Sequence, residues 1–206
     1  MPRLIDVHTH VQFAAYGDDG RDVIKRSLDQ GIWLVNVGTQ AETSATAVKM
    51  AEEYEEGVYA AIGLHPIHTT KSYHDEKELG GGESAKSFTS RGEDFDYDFY
   101  KNLGQSKKVV AIGECGLDYY RLDEETKEKQ LDAFEKQIQL AKDLGVPLMI
   151  HCRKAFGDLT DFLGKKKELL NTIPGINHFF TGTKEDAGAL MDLGFYFSFG
   201  GVITFT

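Results

Sequence analysis

The 206-residue chain has only two cysteines, Cys115 and Cys152. Two thiols cannot build a disulfide framework, which points to a reducing compartment. No apolar run is long enough to cross a bilayer, and Met1-Pro2-Arg3 leads straight into a strand-like segment and not into a signal peptide. The expectation is a cytoplasmic protein, with access to the nucleus left open and no membrane partner. Basic side chains are in deficit, 23 Lys and Arg against 33 Asp and Glu, for a net charge of −10. That argues against a broad basic nucleic-acid surface, although bound divalent ions can supply local positive charge where a phosphate must approach.

What is present is a βα rhythm. With 41% hydrophobic residues the chain can bury a sizeable core and is expected to form one domain over 1–206. Apolar runs at 4–8, 32–37, 58–64, 109–113, 147–150, 176–180 and 195–203 show little alternation, as expected for parallel strands covered on both faces. The clearest helix is 124–144, where Leu131, Phe134, Ile138, Ala141 and Leu144 recur at three- and four-residue steps. It stops at Gly145, and Gly31, Gly57, Gly175 and Gly194 stand in the same place ahead of other strands. Residues 71–98, with Gly80-Gly81-Gly82 and a surplus of acids, form the one long connection and read as a solvated surface excursion. His68 and His74 beside it are expected to be exposed.

Side chains of metal-ligating type stand where the apolar runs stop: His8-Thr9-His10, Glu114, His151 and His178. Residues i and i+2 of a strand face the same way, so His8 and His10 project together and Thr9 projects oppositely. Two imidazoles at that spacing can share an ion, although a strand histidine also serves as a satisfied buried side chain. Glu114, His151 and His178 add convergent N and O donors, which places one site at the C-terminal mouth of a parallel barrel. His65, expected to end the third strand, could donate to a phosphate oxygen there; a buried turn histidine is its alternative. Arg153 shares a face with His151 and suits a bidentate phosphate contact, with a surface salt bridge as the bland option. Asp118 and Tyr119, expected on a loop after Glu114, are further candidates for substrate contact, and Tyr119 or Tyr120 could stack on a base. Cys115 and Cys152 are read as small buried fillers.

His8-Thr9-His10, Gly63-Leu64-His65-Pro66, Gly113-Glu114-Cys115-Gly116-Leu117-Asp118-Tyr119, His151-Cys152-Arg153 and His178-Phe179-Phe180-Thr181-Gly182-Thr183 resemble, in that order, the TatD family of metal-dependent deoxyribonucleases. The resemblance runs through the whole chain. It implies a TIM-type (β/α) barrel of the amidohydrolase kind and a 3′-5′ exonuclease acting on DNA, with single-stranded 3′ ends as substrate and RNA as a second one. It also implies two divalent ions (magnesium, manganese or zinc), one held by His8 and His10, the other by His151 and His178, with Glu114 bridging. Glu114 and His65 are then the catalytic candidates, and His65, Arg153, Asp118 and Tyr119 the substrate-binding ones.

The sequence departs from the family pattern in carrying no Thr-Asp-x-Pro-like motif, whose Asp completes the metal site. The expected architecture is therefore incomplete, about seven strands, and open strand edges invite self-association. Two alternatives stay open: a catalytically impaired nucleic-acid- or metal-binding remnant, and another metallohydrolase acting on small phosphoesters.

Overall fold

The computed structural model describes residues 1–71, 73–74, 88–89, 92–120 and 124–204. Seven parallel strands follow one another in a single sheet: β1 (Leu4–Thr9), β2 (Ile32–Val37), β3 (Val58–Ile62), β6 (Val109–Asp118), β7 (Leu148–Arg153), β8 (Gly175–Asn177) and β9 (Tyr196–Phe197). A separate antiparallel pair, β4 (Tyr73–His74) and β5 (Phe88–Thr89), lies in the long connection. The sheet order of the seven is their chain order. Each crossover thus adds the next strand on the same side, and the sheet curls into a half-barrel with helices outside, as the incomplete barrel reading expects. Most of 71–98 lies outside the described residues.

Among the described residues six α-helices cover the outer face: α1 (Gly20–Asp29), α2 (Ala41–Glu52), α3 (Tyr97–Leu103), α4 (Glu124–Leu144), α5 (Phe156–Lys165) and α6 (Lys184–Asp192). The strands are apolar on both faces. Toward the helices Leu34, Ile62, Ile112 and Ile150 pack with Ile24, Phe134, Ile138 and Leu159 in one buried cluster. Toward the barrel axis Val35, Val37, Ala61, Ala111 and Met149 form a second, smaller one. Helix α4 occupies the expected 124–144, and Gly145 after it has φ 67°, the left-handed turn that a glycine takes without steric cost. Gly31, Gly57, Gly175 and Gly194 also have positive φ, as their positions suggested.

Several boundaries differ from the expected ones. β3 stops at Ile62, so His65 lies beyond it and caps a 3-10 turn at Pro66–His68. β6 runs on to Asp118, because pairing with β7 continues through Asp118 opposite Arg153. Asp118 is thus a strand residue and not a loop one. β8 ends at Asn177. The run 195–203 is a strand only at Tyr196–Phe197, and past Gly200 the backbone tightens into a 3-10 turn at Gly201–Thr204, where adjacent glycines offer no side chain to hold a pleat.

Candidate metal centre

The mouth is built around one carboxylate. Glu114 sits on β6 where its register against β7 shifts, its backbone N–H donates to the Gly38 carbonyl at 3.0 Å, and its side chain is buried, 4% exposed. Its Oε1 is 2.6 Å from His178 Nε2, 3.0 Å from His151 Nδ1 and 3.3 Å from His65 Nε2, while Oε2 is 3.4 Å from His8 Nε2. His8 and His10 face each other with Nε2 atoms 3.1 Å apart. Thr9 between them points the other way and donates to Asn36 Oδ1 at 2.7 Å, as strand alternation requires. The imidazoles of His8 and His178 stack at 3.9 Å.

Burial and partners fix the protons. Burial alone would raise the Glu114 carboxyl, but His65 and His178 beside it, with hydrogen bonds from His151 and His178, hold it well below the usual range. Burial lowers His10 and His178, and it lowers His65 to about 4. Burial acts the same way on His151, but hydrogen bonds to Asp118 and Glu114 outweigh it and raise the ring to about 9. The first of these partners, Asp118, is 5% exposed, with Oδ2 2.8 Å from His151 Nε2. His10 Nδ1 donates to the Val37 carbonyl at 2.8 Å, which leaves its Nε2 as a bare lone pair aimed at His8.

Such a set fits a divalent cation. Two groups of donors lie within 4.8 Å of one another, His8 with His10 and Glu114, and His65 with His151 and Glu114. His65 belongs to the second group by distance only. Its Nδ1 accepts the Ile67 N–H at 3.1 Å, so the neutral ring presents Nε2–H, a hydrogen-bond donor and not a lone pair. Imidazoles and carboxylate suit magnesium, manganese or zinc, with His151 giving up its second proton when an ion binds, and no thiol competes: Cys115 and Cys152 are both buried, as expected of fillers.

The remaining candidates separate. Arg153 follows His151 on β7, and its guanidinium lies 3.6 Å from the ring centroid of the exposed Tyr120, with Lys154 Nζ at 5.0 Å from the same ring. Tyr119 is drawn elsewhere, its hydroxyl donating to Asp158 at 2.8 Å. His68, expected at the surface, is buried, 7% exposed. The side chain of His74 lies outside the described residues. Sequence reasoning did not find the link from Asp118 to His151. A signal exists only once β6 is carried past Gly113: Asp118 is then four residues beyond Glu114 in a strand period of two and shares its face.

A curled parallel sheet whose mouth gathers five histidines about one buried glutamate defines a metal-dependent hydrolase. Residues 5–206 match the family described as TatD related DNase, and the chain belongs to that family. The uncharacterized metal-dependent hydrolase YabD of Bacillus subtilis is 37% identical over 203 residues, 98% of this chain and 70% of that one. The 3′-5′ ssDNA/RNA exonuclease TatD of Erwinia billingiae is 33% identical over 93% of this chain and 65% of its own length. The crystal structure of YjjV, a TatD homologue from Escherichia coli, superposes with a TM-score of 0.76 at 27% identity, covering 98% of this chain and 70% of that one. The chain spans 65–70% of the length of these relatives. Among the described residues no helix is long and apolar enough to cross a membrane.

Proposed function

We propose that this chain carries the site of a divalent-metal-dependent 3′-5′ exonuclease acting on single-stranded DNA, with RNA as a second substrate. The observation that carries the reading is Glu114, a single buried carboxylate touched by His8, His65, His151 and His178. His8 and His10 would hold one ion, His151 and His178 the other, and Glu114 would bridge them. Bound there, divalent ions lower the pKa of an attacking water and offset charge on the leaving oxygen of a phosphodiester. Glu114 would supply the negative charge that offsets the ions at the mouth.

The chain's other groups place the substrate. Neutral His65, fixed by the Ile67 N–H on Nδ1 and with its Nε2–H 3.3 Å from Glu114 Oε1, would share that proton with a non-bridging phosphate oxygen bound beside Glu114. Arg153 supports the phosphate with the edge of its guanidinium while one face stays against Tyr120. Tyr120 stands in the base-stacking place, since Tyr119 is held by Asp158. Asp118 acts through His151, holding Nε2–H so that the ring stays turned to Glu114.

The test is nucleotide release from a 3′-labelled single-stranded oligonucleotide with magnesium or manganese, with Glu114→Ala as control. Stepwise release lost in the variant supports the reading. Turnover of small phosphoesters with none of oligonucleotides sends the site to a different substrate class, and metal uptake without turnover of either supports the binding remnant.

A further inference from the structure

Two buried glutamines have no place in the chemistry above. Gln130 and Gln137 are 2% and 1% exposed, both on α4 and seven residues apart, so two helical turns put them on the same face. Each grips a backbone at two points. Gln130 Oε1 accepts the Asp118 N–H at 2.8 Å and its Nε2 donates to the Asp118 carbonyl at 2.9 Å. Gln137 Oε1 accepts the Leu64 N–H at 2.8 Å and its Nε2 donates to the Leu64 carbonyl at 3.1 Å.

The reason lies in the sheet. β3 and β6 pair only as far as Ile62 opposite Ile112, whereas β6 continues six residues further with β7 alone. Past that fork the backbone N–H and C=O of Leu64 and Asp118 have no strand across from them, in an interior where an unpaired N–H or C=O is costly. A primary amide offers one donor and one acceptor at the spacing of a peptide group, so each glutamine acts as a single residue of a strand that is not there. Ser44 on α2 does the same for Gly63, bridging its N–H and C=O at 3.2 Å each. The segments so held lead directly into His65 and contain Asp118, the partner of His151.

We infer that Gln130 and Gln137 are positioning residues which hold the fork open at a fixed width, setting His65 and the Asp118–His151 pair against Glu114. The inference rests on the metal-site reading for its functional consequence. It makes α4 a structural part of the mouth, although α4 contributes no atom to the chemistry.

Hydrogen exchange on the wild-type chain, together with zinc titration followed on the imidazole Cε1–H resonances of wild type, Gln130→Met and Gln137→Met, tests this. In the wild type the Leu64 and Asp118 amides, which no strand pairs, exchange as slowly as those of β3; rapid exchange overturns the clamp without any variant having to fold. Gln130→Met weakens zinc binding read at His151 by ~10-fold or more and leaves that read at His8 and His10 within ~3-fold. Gln137→Met accelerates exchange at Leu64 and His65 with the same sparing of His8 and His10. Equal weakening at His8, His10 and His151, or none, overturns the positioning role. A wild type that takes up no zinc overturns the metal reading itself, and the exchange rates then decide the clamp alone.

Discussion

Replacing Asp118 by Asn removes one charge from the edge of the site and should cost more than its small size suggests. The carboxylate accepts twice, from His151 Nε2–H at 2.8 Å through Oδ2 and from the Tyr120 N–H at 2.9 Å through Oδ1. An amide has only one oxygen. If it serves Tyr120, the NH2 meets His151 Nε2–H, which must shed that proton; the neutral ring then protonates Nδ1, the nitrogen 3.0 Å from Glu114, and loses the lone pair an ion needs. If it serves His151, the Tyr120 N–H faces another donor and the turn after β6 gives up a hydrogen bond worth about 0.5–1.5 kcal/mol. Either way His151 loses the charged partner that orients its ring and raises its basicity, and metal affinity there falls by ~10–100-fold, about 1.4–2.7 kcal/mol. Isothermal titration with zinc or manganese reads the loss, and thermal melting of the metal-free protein separates it from unfolding. Affinity within threefold of wild type, in a folded variant, would refute the role given to Asp118.

Arg153→Ala should raise KM for a single-stranded oligonucleotide more than it lowers kcat, and should flatten the dependence of log affinity on log salt by about one unit; an unchanged slope means that Arg153 touches no phosphate. Phe134→Ala, at a fully buried position on α4, should cost about 3–5 kcal/mol in urea unfolding, and a cost under ~1 kcal/mol would show that the helix is not seated as described. Burial pushes the Cys152 thiol up to about 12 and Cys115 higher still, so both stay protonated in the folded chain. Ellman's reagent at pH 8 should therefore find no fast thiol until denaturant is added, and prompt reaction of either in the native state counts against the packing.

The local pattern carried much of this structure. Periodicity placed α4 at its observed limits, the glycines marked the turns, and the i, i+2 rule set His8 and His10 side by side with Thr9 reversed. Strand ends were less legible. Whether β6 stops at Gly113 or runs to Asp118 depends on a neighbour, β7, and a neighbour is not written in the run itself. The role of Asp118 was hidden for that reason. His68 looked exposed because it adjoins an acidic, glycine-rich segment, but it lies on a turn whose carbonyl is tied to the Glu93 N–H, and the fold closes over it. Gln130 and Gln137 left a trace that apolar stripe counting passes over: polar residues at the stripe spacing of α4, beside Leu131, Phe134 and Ile138.

The groups around Glu114 come from residues 8, 65, 151 and 178, so the centre exists only when β1, β6, β7 and the end of β8 have all taken their places. An ion held there reports on the whole curve of the sheet at once. At a concentration 100 times its dissociation constant it would add about 2.7 kcal/mol to the stability of the native state and nothing to any fragment of it. Loading thus serves as a check on assembly: a chain folded from its first strand through β7 but not β8 lacks the imidazole that sits nearest the central carboxylate, and it would bind the metal poorly however sound the rest of its core.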